Sequence, residues 1–70
     1  MSRYAIVIER AGANYSAFVP DLPGCVATGA TRAEAERSIR DAIALHLEGL
    51  RADSAVIPEP TSTVATVDAP

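Results

Sequence analysis

The sequence contains no lysine and no tryptophan, and it has one cysteine, Cys25, and one histidine, His46. A single cysteine excludes an internal disulfide, and one cysteine with one histidine provides too few ligands for an ordinary zinc site. We therefore predict no metal and no cofactor, and a buried structural role for Cys25 rather than a nucleophilic one. His46 borders the apolar side of a predicted helix, which favours the edge of the core over a pH-sensitive interface.

Basic residues are scarce: the six that occur are all arginine, against nine acidic residues, and the net charge is −3. Proteins that bind nucleic acid neutralise phosphates with a basic surface, which this composition does not supply. Tyr4, Tyr15 and Phe18 fall on predicted strands, where packing is a better interpretation than a platform for stacking RNA bases. We predict no direct contact with nucleic acid, and an acidic chain of this kind suits a basic protein partner.

Long hydrophobic runs are absent, so we predict a cytoplasmic protein without a membrane segment. Seventy residues, 49% of them hydrophobic, allow one domain with a small core. Small domains usually need a disulfide, a metal or a second copy to bury enough apolar surface. Since the first two are excluded, we predict a homo-oligomer, a dimer or larger.

The residues that are present favour an α+β fold. Thr31 and Glu34 form a capping box at the start of a helix predicted over 32–52. Alternating apolar residues predict three strands, over 4–9, 15–19 and 25–29. The β-branched residues of 64–67 favour a short fourth strand beside the first, giving the sheet order 3-2-1-4. The expected architecture is an antiparallel three-stranded meander with one long helix packed on one face and a C-terminal fourth strand (β-β-β-α-β).

The most distinctive stretch lies between the second and third strands, where Pro20 and Pro23 bracket Asp21 and Leu22. Proline fixes φ and forces the preceding residue toward extended geometry, and Gly24 can adopt positive φ. We expect a rigid corner with Asp21 and Leu22 exposed at its tip. These two are either recognition residues or residues that form the turn, with the Asp21 carboxylate bonding nearby amides.

The segment from Phe18 to Cys25 (FVPDLPGC) resembles the signature of the HicB-like antitoxin family. The resemblance continues through Thr28-Gly29 and residues 31–35, and covers residue 4 to about residue 60. It implies a partial ribonuclease H-like fold. We expect one HicB-like domain over 1–70, and no C-terminal DNA-binding domain of the kind that many members carry. We expect this domain to consist of a core over 3–52, a linker over 53–63 and the fourth strand over 64–67.

The family resemblance implies an antitoxin that binds and sterically inhibits a small basic HicA-type toxin that cleaves mRNA. Glu9, Asp21 and Leu22 are the candidate contact residues, because corner and edge positions should expose them. We predict no enzymatic activity and no catalytic residues, since two-metal hydrolysis needs more carboxylates than Glu9 and Asp21 supply. The alternative is an orphan self-associating module whose free strand edge accepts another chain.

Overall fold

The computed structural model describes residues 2–70. Three strands, β1 (Val7–Ala11), β2 (Asn14–Phe18) and β3 (Val26–Gly29), precede one helix, α1 (Arg32–Ala52). The strands pair antiparallel in the order β1-β2-β3. The helix packs on one face of this sheet, mainly over β3 and β2. The predicted α+β fold, a meander followed by one long helix, is confirmed.

The side chains of the central strand β2 point alternately to the two faces of the sheet. Ala17 is buried between the sheet and α1, whereas Phe18 lies on the opposite face and is 38% exposed. Cys25 is buried as predicted, and burial raises the pKa of its thiol above the ordinary value. Six buried side chains make up the core: Ala17, Val19, Leu22, Cys25, Ala35 and Ile39.

Two of the predicted sheet features are wrong. The first strand begins at Val7 rather than at residue 4, because Val7 already pairs with the last residue of β2 and residues 4–6 have no strand opposite them. The fourth strand is not there: residues 64–67 are neither helix nor strand, and Val64 and Val67 are 64% and 91% exposed. Strand propensity alone does not place a segment beside a partner edge.

The helix begins at a capping box, as predicted. The backbone N–H of Glu34 donates to the Thr31 hydroxyl at 3.1 Å, and the Ala30 N–H donates to the Glu34 carboxylate at 3.0 Å. The glutamate therefore reaches one residue further back than in the usual box. Two backbone N–H groups at this end of the helix, those of Glu34 and Ala30, thereby acquire partners.

We predict that Thr31→Ala lowers the free energy of unfolding by about 0.5–2 kcal/mol, the usual cost of losing an N-cap hydroxyl. Thr31→Ser keeps the hydroxyl and should stay close to the parent chain. Urea denaturation of the three proteins measures the difference, and an alanine variant with an unchanged midpoint would contradict the prediction.

The helix ends in a Schellman motif that turns the chain back toward the sheet. The Ala55 N–H donates to the Leu50 carbonyl at 2.9 Å, and the Ser54 N–H donates to the Arg51 carbonyl at 3.0 Å. Ser54 adopts φ +54° at the position where glycine is common. The segment that follows returns to the corner between β2 and β3.

Candidate partner-binding surface

The corner between β2 and β3 consists of two consecutive turns that share Leu22. The Leu22 N–H donates to the Val19 carbonyl at 3.1 Å, and the Cys25 N–H donates to the Leu22 carbonyl at 3.0 Å. Proline follows the first residue of each turn, where its fixed φ is favourable, and Gly24 has the positive φ, +84°, that a type II turn requires after proline. The predicted rigid corner is therefore present.

Leu22 does not lie at an exposed tip, contrary to our expectation. The second turn reverses the chain immediately after the first, and this places the Leu22 side chain in the core with no exposed surface. The reason for choosing Leu22 as a contact residue, exposure, is therefore wrong. Its burial is explained by an apolar side chain at the junction of two turns that fold back over the sheet.

Asp21 remains accessible at the corner, and its carboxylate is the most heavily hydrogen-bonded side chain among residues 2–70. It accepts the backbone N–H groups of Thr61 and Ser62, at 3.0 and 2.9 Å, and both of their hydroxyls, each at 3.0 Å. The Tyr4 hydroxyl donates to the carbonyl of Pro58, which lies three residues before Thr61 in the chain. The partners of Asp21 are thus about forty residues away, rather than in its own turn.

The hydrogen bonds from Ser62 and Thr61, above all that from the Ser62 N–H, hold the pKa of the Asp21 carboxyl below its usual 3.8, although partial desolvation opposes them.

We predict that the contact between Asp21 and residues 61–62 is complete at neutral pH and is lost as the pH falls below about 4, through the lowered pKa. The contact is lost on the acidic side because its hydrogen bonds favour the ionised form of the Asp21 carboxyl. NMR titration of the Thr61 and Ser62 amide shifts measures this, and Asp21→Asn should abolish the transition. Amide shifts that titrate unchanged in Asp21→Asn would contradict it.

The face of the sheet opposite α1 is open. The register places Val7, Phe18 and Val26 side by side across the three strands, and Val26 is 66% exposed. The next row on this face contains Glu9, exposed as predicted, beside Ser16 and Thr28. We name this surface, which consists of the apolar row and the row of Glu9, Ser16 and Thr28, the outer sheet face. Val7 and Val26 were not among the contact residues expected from the sequence, although their alternating positions in the strands carried the signal.

A concave region lies between the start of the chain and the helix. Tyr4 and Ile6 face Ile43 across a cavity of about 180 Å³, and Arg40 and Glu36 form an ion pair at 3.2 Å on its rim. No polar side chain within residues 2–70 is buried where it could orient a small ligand.

The predicted absence of a metal site and of a membrane segment stays a prediction. In the part of the chain that the structure describes, no three His, Cys, Asp or Glu side chains converge in a way that could hold a metal ion. Over the same residues, α1 is not apolar enough over the required length to cross a bilayer. His46 is half-buried on α1, which agrees with the position at the edge of the core that we expected.

The comparison with protein families decides the assignment. A model of the HicB-like antitoxin of bacterial toxin–antitoxin systems matches residues 4–70. The chain belongs to the HicB-like antitoxin family. The resemblance in the corner and capping motifs is thereby confirmed, and it extends beyond residue 60 to the end of the sequence. The family is one of antitoxins, which are regulatory proteins.

Relatives of this HicB-like chain come from phage, bacteria and archaea. A UPF0150 protein of Helicobacter pylori is 43% identical over 89% of this chain and 88% of its own length, and one of Thermoplasma acidophilum is 34% identical over 96% and 99%. An uncharacterised 14.9 kDa protein of Haemophilus phage HP1 is 39% identical over 80% of this chain. The match spans only 42% of that phage protein.

Among solved structures, a chain of the HicA3 and HicB3 toxin–antitoxin complex superposes with a TM-score of 0.74 at 28% identity. The match covers 86% of this chain and 70% of that one. The similarity in fold is therefore accompanied by similarity in sequence. The structure that contains this similar chain is that of a toxin–antitoxin complex.

Proposed function

We propose that this chain is an antitoxin that binds a small basic toxin of the HicA type and inhibits it sterically. The observation that carries the proposal is the family match over residues 4–70, and the similarity to a chain of a HicA–HicB complex supports it. The proposed site of action is the cytoplasm, where a toxin that cleaves mRNA meets its substrate.

The outer sheet face is the surface we assign to the toxin. Its row of Val7, Phe18 and Val26 presents apolar side chains at the centre, and Glu9 lies beside them. An apolar centre with polar surroundings is the usual anatomy of a protein interface. An acidic chain with a net charge of −3 complements a basic partner, which accelerates and orients association.

The proposed mechanism is occlusion and requires no chemistry from the antitoxin. A toxin that binds RNA needs a basic surface, and an acidic protein bound to that surface excludes the phosphates that the toxin must contact. Asp21 is a weaker candidate for this contact than Glu9, because Thr61 and Ser62 already occupy its carboxylate. Leu22 supports the corner from inside and would act on binding only through the fold.

The test measures inhibition of RNA cleavage by a purified HicA-type toxin, chosen from the reading frame adjacent to the gene for this chain. We expect stoichiometric inhibition by the unmodified chain, and a loss of affinity of about tenfold or more for Glu9→Arg, since a reversed charge at an interface costs a few kcal/mol. Glu48→Arg is the matched control, because Glu48 is an exposed acid on α1, away from the outer sheet face.

Three results would separate the alternatives. Inhibition that Glu9→Arg and Glu48→Arg weaken equally would move the contact away from the outer sheet face. Inhibition that persists without formation of a complex would overturn the steric mechanism. A chain that neither binds nor inhibits the adjacent toxin, or that has no such neighbour, would support the orphan self-associating module instead.

A further inference from the structure

The outer edge of β3 has no partner strand within residues 2–70. Proteins usually protect such edges with charged side chains, proline or a bulge. The other edge strand, β1, carries Glu9 and Arg10, but β3 consists of Val-Ala-Thr-Gly and has neither a charge nor a proline. The edge of β3 is therefore the one that favours pairing with another strand.

The segment 64–67 is the second unpartnered feature. Its sequence, Val-Ala-Thr-Val, begins with the same three residues as β3 and is equally free of charge and proline. Val64 and Val67 are 64% and 91% exposed, although their β-branched side chains favour a sheet. The contacts of Asp21 with Thr61 and Ser62 hold the chain at the corner immediately before this segment.

The dimensions of the molecule show how far the chain departs from a compact shape. Its longest axis measures 45 Å, whereas the 21 residues of α1 account for about 32 Å at 1.5 Å per residue. The radius of gyration is 13.3 Å, against about 11 Å for a compact domain of this length. Part of the chain outside the helix must therefore extend, and the segment after Ser62 is exposed throughout.

We propose that residues 64–67 of one copy pair with the outer edge of β3 in a second copy, and that the exchange is reciprocal. Each copy offers one free edge of four residues and one free segment of four residues, so a two-fold dimer satisfies both at once. Both elements are uncharged, so two chains of net charge −3 place no like charges opposite each other in this pairing. The second copy is thus the partner that matches in length and in charge.

The exchange would also compensate for the small core. Val26, Val64 and Val67 are exposed in one copy and would be partly covered in the dimer. Asp21 would act as the fixed point from which the segment reaches its partner, because its hydrogen-bond partners Thr61 and Ser62 lie two to three residues before Val64. This inference does not depend on toxin binding, and its test is made without any toxin.

The direct test is NMR on a dimer that mixes isotope-labelled and unlabelled copies of the full chain. We expect nuclear Overhauser contacts between copies that join residues 64–67 to Val26–Gly29, and a light-scattering mass of twice the monomer in the micromolar range. A stable monomer throughout that range would overturn the proposal. Contacts from 64–67 to β3 within one copy, or a dimer without such contacts, would overturn it as well.

Variants test the two elements separately. Ala65→Pro/Thr66→Pro removes backbone donors pointing to either side of the segment, and we expect it to weaken dimerisation about tenfold or more, whereas Ala69→Pro should not. Val26→Lys places a charge on the β3 edge and should weaken dimerisation by a comparable factor. Val56→Lys is its control, because Val56 is 88% exposed outside both elements. Dimerisation that is unaffected by both the double proline variant and Val26→Lys would refute the exchange.

Discussion

Gly29→Ala is expected to lower the free energy of unfolding by about 3 kcal/mol or more, at the upper end of what overpacking costs. A methyl group built on Gly29 would lie 2.8 Å from the carbonyl carbon of Glu34 and 2.9 Å from the Cα of Ala35, and closer still to the Ala35 amide nitrogen. These atoms belong to the backbone of the first turn of α1, so no side chain can rotate away. The helix or β3 would have to move.

The total stability of a chain of this length is about 3–10 kcal/mol, so Gly29→Ala should leave the domain largely unfolded. Gly49→Ala is the matched control. Gly49 lies in α1 with no atom near the added methyl, and this change should raise the free energy of unfolding by about 0.5–1 kcal/mol. Circular dichroism during urea denaturation measures both, and a Gly29→Ala chain as stable as the parent would show that α1 does not rest directly on β3.

The local rules of the sequence were sufficient for most of the secondary structure. The capping residues Thr31 and Glu34 mark the start of α1, and the helix spans the predicted residues 32–52. The alternation of β2 places Ala17 and Phe18 on opposite faces of the sheet, but only the structure shows that Ala17 is the one that faces α1. Such features depend on residues within a few positions of one another, which is why a pattern in the sequence can reveal them.

Contacts between distant residues were not predictable from such rules. The hydrogen bonds of Asp21 join residues forty positions apart, and no pattern in the sequence signals that Thr61 and Ser62 return to the corner. The absence of a strand at 64–67 has the same cause, because pairing depends on where an edge lies in space and not on propensity. For the candidate surface, Glu9 was selected correctly as exposed, while its apolar neighbours emerged only from the register.

The error at Leu22 shows how turn chemistry can mislead. Two prolines and a glycine correctly indicated a corner, but a single turn would expose its central residues, whereas two turns sharing one residue fold that residue inward. Hydrophobicity was the better guide to the placement of Leu22, because leucine is among the residues most often buried and neither turn requires its side chain to be exposed. The corner is thus part of the core as well as a connection.

Leu22→Ala is therefore expected to lower the free energy of unfolding by about 2–5 kcal/mol, the range for deleting a buried leucine side chain. Leu22 has no exposed surface and packs in a core of six buried side chains, so the loss is a large share of the total stability. Leu22→Met, which keeps the volume, should cost less than about 1.5 kcal/mol. Leu45→Ala removes the same atoms from a side chain that is 71% exposed, and should change stability by no more than about 0.5 kcal/mol.

Urea denaturation of the parent chain and the three variants tests whether Leu22 acts through the core or through an exposed contact. A core role predicts the order Leu45→Ala, Leu22→Met, Leu22→Ala in increasing loss of stability, with toxin affinity retained in Leu22→Met. A contact role predicts that Leu22→Ala unfolds at the same urea concentration as Leu45→Ala but binds the toxin less tightly. The second pattern would contradict the placement of Leu22 in the core, because removing a buried side chain leaves a cavity whatever the partner does.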